Sequence, residues 1–160
     1  MNIIFKDLSK NKELAKQVFE KMDDEFKYYL GFEDSIDNFV TEVTESDKIH
    51  KYWALFFNNA LVGLIYIYAY SEKYKKCSIG YGLFPEYRGK NFTPTVLTKF
   101  CSYLEDELGI VRIQVDIEVS NEHCLSCFEK CGHAIGFKYE CTANNYWGKD
   151  CACKIYSRCK

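Results

Sequence analysis

Between Tyr52 and Phe84 the chain reads "YWALFFNNALVGLIYIYAYSEKYKKCSIGYGLF", three apolar runs rich in β-branched and aromatic residues, broken by "NNA" and "SEKYKK". Runs of that composition joined by short polar breaks predict an antiparallel meander of three strands. On its N-terminal side, after a strand-like "NIIFKDL", the period changes. Leu14, Val18, Met22, Phe26 and Leu30 recur at helical spacing, which predicts one helix ending near Gly31. "FEDSIDNFVTEVTES" predicts a second, shorter helix capped at Asp34 or Ser35. After the meander come the loop "PEYRGKN", a helix from about Thr93 to Leu108, a strand "IVRIQVDIEVS", a helix from about Asn121 to Cys131, and two strands split by a turn around "GKD". No repeat or linker interrupts this order, so a single mixed α/β domain over residues 1–160 is expected.

Composition removes several classes of function. With 160 residues, 48% hydrophobic and 28% charged, the chain is long and apolar enough to bury a core without staples. A formal net charge of −2 gives no support for nucleic acid as the main partner. Neither a secretory leader nor a run of 18 apolar residues is visible, so a cytoplasmic protein without a membrane partner is expected. Most of its 9 cysteines are then expected to be free thiols that pack as small apolar groups. Cys124, Cys127 and Cys131 recur at three and four residues, the spacing of a helix face. These three with Cys141, Cys151, Cys153, Cys159 and His133 form a late cluster that would suit zinc, but no second pair at two-residue spacing exists, and no metal is expected.

The loop after the meander carries the sharpest chemistry. Arg88, Gly89, Lys90 and Asn91 stand where a strand hands over to a helix, and Pro94 suits the first helical turn. A helix start leaves N–H groups without partners, and with the helix dipole these favour a diphosphate. Gly89 permits close backbone approach, and Asn tolerates a left-handed conformation. The alternative is a surface turn with solvated Arg and Lys. A nucleoside triphosphatase is excluded, because the loop lacks the Gly, four residues, Gly, Lys, Ser or Thr arrangement.

Other residues have both a chemical and a packing reading. Alternation sets Asp116 and Glu118 on one strand face opposite Ile117 and Val119, either as a solvated face or with Glu118 as a base. Tyr66, Tyr68 and Tyr70 form a stripe that suits cross-strand packing or an ammonium group. His123 and His50 read as a helix first-turn residue and a loop residue.

"IGYGLFPEYRGKN" resembles the fourth strand and pyrophosphate loop of the GCN5-related N-acetyltransferases, in which Gln or Arg, two residues, Gly, one residue, then Gly or Ala close over acetyl-CoA. "VSNEHCLSCFEKCG" resembles that family's later signature of Asn, two residues, a small residue, then aromatic, Glu, Lys, one residue, Gly. The similarity covers nearly the whole chain. It implies a mostly antiparallel central sheet with helices on both faces and a splayed strand pair that receives the CoA arm. It also implies acetyl-CoA as cosubstrate and direct transfer of its acetyl group to a primary amine of a small molecule or peptide, in a monomer or homodimer.

By that resemblance, cofactor contacts come from Leu83, Phe84, Arg88, Gly89, Lys90, Asn91, Phe92, Thr93, Asn121 and Phe128. Leu83 or Gly82 supplies an N–H to the thioester oxygen, freed by a bulge in "GYGLF". Asn121 either hydrogen-bonds the arm or caps a helix. Glu118 is the expected base, and Cys124 replaces a serine near the CoA sulfur. Three departures stand out. Asn91 and Thr93 fill the loop's small-residue positions, Phe128 replaces the tyrosine acid, and Ser78 replaces a glutamate that similar ribosomal-protein acetyltransferases use. A CoA-binding module without catalysis is therefore the competing expectation. Acceptor contacts are expected from "YYLGFEDS" and "CTANNYWGKD".

Overall fold

The computed structural model describes residues 2–45, 47, 50–144, 146 and 151–160. Seven strands hydrogen-bond in the order β1-β2-β3-β4-β5-β7-β6, a mixed and mostly antiparallel sheet. In chain order the elements are β1 (Ile3–Asp7), α1 (Lys12–Glu20), α2 (Asp24–Leu30), α3 (Ile36–Thr44), β2 (Lys51–Phe57), β3 (Ala60–Ser71), β4 (Lys76–Leu83), α4 (Thr93–Glu107), β5 (Arg112–Glu118), α5 (Glu122–Cys131), β6 (Lys138–Asn144) and β7 (Ala152–Cys159). The chain falls into two compact units, residues 1–70 with 80–90, and residues 71–79 with 91–160.

In the first unit β1 pairs antiparallel with β2 and β2 with β3. Asn58 and Asn59, with φ of 46° and 70°, make the two-residue turn that joins β2 to β3, the left-handed pair such a hairpin requires. The apolar stripes of α1, α2 and α3 enter one core: Leu14 and Val18, then Phe26, then Phe39 and Val43, around Tyr52, Leu64 and Phe84.

The single helix expected over residues 11–30 is two helices. Asp23 is the reason: its extended backbone (φ −87°, ψ 172°) stops helical geometry, and its carboxylate accepts the Phe26 N–H as the N-cap of α2. The four-residue apolar period survives the break because both helices bury into the same cluster. Ser35 caps α3, as one of the two expected alternatives. The tyrosine stripe is also revised. Ala69 lies in the left-handed region (φ 50°), so the two-residue alternation does not run unbroken from Tyr66 to Tyr70.

In the second unit, β5 pairs antiparallel with β7, and β7 with β6. β4 joins β5 in parallel through Lys76–Ser78 against Arg112–Gln114, and both strands outrun that ladder, to Leu83 and Glu118. Ile113, Val115 and Ile117 are buried along β5, and α4 buries Val96, Leu97, Phe100, Cys101 and Leu104. Arg158 on β7 locks α4 in place with a fork to Glu105 at 2.8 and 2.9 Å, and donates to the Ile135 carbonyl. The expected turn around "GKD" lies outside the described residues, and so do Asn145 and Trp147 of the expected acceptor segment.

Candidate active site

Following the chain out of β4, Phe84 plunges into the core, wholly buried and stacked on Phe26 with ring centroids 5.6 Å apart. A 3₁₀ turn over Pro85–Tyr87 follows, closed by the Arg88 N–H on the Pro85 carbonyl. The backbone then turns left-handed at Gly89 (φ 70°) and again at Asn91 (φ 58°) before Phe92 enters right-handed geometry (φ −76°, ψ −32°). Changes of handedness along a short segment turn neighbouring N–H groups toward one side, which makes an anion-binding concavity.

The helix that starts there differs from its siblings. Among the described residues, α1, α2, α3 and α5 are capped by the side chains of Asn11, Asp23, Ser35 and Asn121. At α4 the N-cap is Phe92, with no side-chain cap bond and no acidic residue in the first turn. The longest helix among the described residues thus begins, at its positive dipole end, with no acidic residue in its first turn.

The Arg88 side chain points elsewhere. Its two terminal nitrogens grip both oxygens of Asp23 at 2.8 Å, one of them reaches Glu25 at 3.2 Å, and Nε donates to the Leu83 carbonyl at 3.0 Å. The guanidinium beside it holds the Asp23 carboxyl below the ordinary carboxylate range. Lys90 lies over the ring of Tyr87, 5.5 Å from its centroid.

At the end of β5 the structure brings three expected residues into one turn. The Asn121 N–H donates to the Glu118 carbonyl at 2.9 Å, and the Asn121 side chain accepts the Cys124 N–H at 3.2 Å, capping α5. Glu118 is 8% exposed and its carboxylate accepts the Ser120 hydroxyl at 2.7 Å.

Along the same polar face of β5, Gln114 donates to Asp116 at 2.8 Å and to the Tyr146 hydroxyl at 3.1 Å, and Tyr146 donates to Asp116 at 3.2 Å. Burial, then the Asp116 charge, push the Tyr146 phenol up to about 12. Sequence reasoning missed Gln114 and Tyr146. Only the position of Tyr146 inside the expected acceptor segment pointed to it.

Phe128, expected as a cofactor contact, packs in the core. Its side chain is wholly buried between Phe137 (5.2 Å) and Tyr156 (4.9 Å), so it serves the core of the second unit. The Phe84 ring is likewise core, which leaves only the backbone at either position to face a ligand. Ser78 is buried in the β4–β5 ladder, and His123 and His50 are exposed. Among the described residues no three His, Cys, Asp or Glu side chains gather as a metal group, and no helix is long and apolar enough to cross a membrane.

The acetyltransferase (GNAT) domain family matches residues 8–134. An uncharacterized N-acetyltransferase, YoaA of Bacillus subtilis (strain 168), is 34% identical over 62 residues, a stretch that spans 39% of this chain and 35% of that relative. Among solved structures, spermidine N-acetyltransferase from Vibrio cholerae in complex with CoA and spermine superposes with a TM-score of 0.77 at 16% identity, covering 98% of this chain and 95% of that one. A SpeG R149-K152 chimera from Vibrio cholerae and hSSAT gives 0.80 at 15% identity, covering 99% and 96%. At these identities the structural likeness is one of fold.

Proposed function

The chain belongs to the GNAT acetyltransferase family, and from that membership we propose that it transfers the acetyl group of acetyl-CoA to a primary amine. The observation that carries the reading is the uncapped start of α4 behind left-handed Gly89 and Asn91. Among the described residues four other helix starts are closed by their own side chains, whereas Phe92 supplies no side-chain cap at this one, which favours an anion such as a pyrophosphate there. Gly89, Lys90, Asn91, Phe92 and Thr93 would hold it through their backbone.

When bound, acetyl-CoA supplies an acetyl thioester as the electrophile. The chain's task is to deprotonate and orient the amine, because an alkylammonium with a pKa of roughly 10.4 carries no lone pair at neutral pH. Glu118 takes that proton, directly or through water, held in place by the Ser120 hydroxyl. Asp116 and Tyr146 orient the ammonium form on the same face. Cys124, whose N–H the Asn121 side chain accepts, would donate to the departing thiolate. A dedicated acid is dispensable, because a thiol of pKa roughly 8.5 leaves readily.

The acceptor we infer is a polycation of polyamine type. In the segment that includes the expected acceptor residues, Asp23, Asp24, Glu25, Glu33, Asp34, Asp37 and Glu42 stand against Lys21 and Lys27, and the balance stays acidic after Arg88 pairs with Asp23 and Glu25 and Lys27 with Asp34. Such a field draws in cations, and the fold is shared with enzymes of spermidine.

Thiol release from acetyl-CoA with spermidine, spermine, a neutral amino acid and a peptide N-terminus tests both statements. Release with the polyamines alone supports them. Release with the peptide alone removes the polyamine reading, and acetyl-CoA binding without release from any amine favours the CoA-binding module.

A further inference from the structure

We infer that Arg88 is a positioning residue rather than a phosphate ligand: tied to Asp23, it sets the loop's conformation from helix α2. The inference rests on the proposed function for its link to acetyl-CoA.

Three kinds of contact support it. The fork between Arg88 and Asp23 uses both terminal nitrogens at 2.8 Å, and the bidentate geometry fixes the guanidinium plane as well as its distance. The Asp23 carboxylate simultaneously accepts the Phe26 N–H at 2.9 Å, so one carboxylate both starts α2 and receives the loop. Arg88 Nε returns to the Leu83 carbonyl, the last residue of β4, which closes a ring of hydrogen bonds around the 3₁₀ turn.

Beside this fork, Phe26 stacks on Phe84, and Lys21 pairs with Glu86 at 3.2 Å. The segment Leu83–Arg88 is therefore fastened to Lys21–Phe26 at three points. Gly89, where the left-handed geometry begins, follows directly on the last of them.

Electrostatics argues the same way. A phosphoryl oxygen that sought the guanidinium would have to displace Asp23 and approach Glu25 at the same time, against like charge. The loop's main chain carries no such penalty. Arg88 thus helps binding indirectly, by holding the segment from which the amides at 89–93 project.

Asp23→Asn is the discriminating variant, because Asn keeps the α2 cap while removing the charge. Hydrogen–deuterium exchange over residues 84–90 of the unliganded protein should rise in Asp23→Asn and in Arg88→Met alike, with nothing added in the double variant. Acetyl-CoA affinity by calorimetry should fall in both by roughly five- to tenfold, the scale of one charge-assisted pair, and Arg88→Lys should restore part of it.

Unchanged exchange in Asp23→Asn overturns the tie. So does an affinity that holds or rises in Asp23→Asn while Arg88→Met loses it, the pattern expected of a phosphate ligand released from a competitor. If the wild type itself binds no acetyl-CoA, the proposed function falls and takes the affinity effect with it, while the exchange data still decide whether the tie exists.

Discussion

Asp23 and Glu118 are both carboxylates with hydroxyl, amide or guanidinium partners, yet their settings give them different work. Asp23 faces Arg88, and the hydrogen bond from that guanidinium lowers its pKa. A carboxyl depressed on folding adds stability above its unfolded pKa, and that stability drains away as pH falls through the folded value. The urea midpoint of the wild type should therefore fall more steeply below about pH 3.8 than that of Asp23→Asn. Parallel curves would remove Asp23 from the acid sensitivity. Glu118 accepts the Ser120 hydroxyl on its carboxylate, and Glu118→Gln preserves an acceptor there. Its kcat should drop by roughly 10²–10⁴-fold with acetyl-CoA affinity intact, and a rate within twofold of wild type would dismiss it as the base. Neither the Asp23 fork nor the Tyr146 triangle was legible in the sequence. Arg88 and Asp23 lie 65 positions apart, and a pairing at that distance has no local period to announce it.

The elements themselves were far more legible, because their signals are local. The Asn-Asn turn, the Ser35 cap, the Thr93 start of α4 and the Asn121 cap of α5 each follow from residue types within one turn of the boundary. The missed boundary between α1 and α2 also had such a signal, the acids Asp23, Asp24 and Glu25 at a first turn, but the unbroken apolar spacing masked it. At α5 the sequence pattern suggested a residue beside the cofactor, whereas Phe128 turned out to be core, since position in a motif does not fix how deeply a helix face is buried. That burial makes a prediction at this scale. Phe128→Tyr introduces a hydroxyl between the rings of Phe137 and Tyr156, and an unsatisfied buried hydroxyl costs about 1–3 kcal/mol. A lower Tm without a gain in kcat is expected, and a faster enzyme of undiminished Tm would show that α5 offers this position to the reaction after all.

For the molecule as a whole, each compact unit has a core of its own, and the loop that leaves β4 carries the chain from the first into the second between Lys90 and Asn91. The family membership says which reaction class this arrangement belongs to. Within that class, we propose that backbone amides from Gly89 to Thr93 receive the pyrophosphate of the acyl carrier. Amide chemical shifts of the ¹⁵N-labelled protein, followed during titration with acetyl-CoA and then with a CoA fragment lacking the pyrophosphate, test it most directly. The account predicts that Gly89, Lys90, Asn91 and Thr93 move most with acetyl-CoA and stay still with the fragment; acetyl-CoA binding that leaves these amides in place would contradict it.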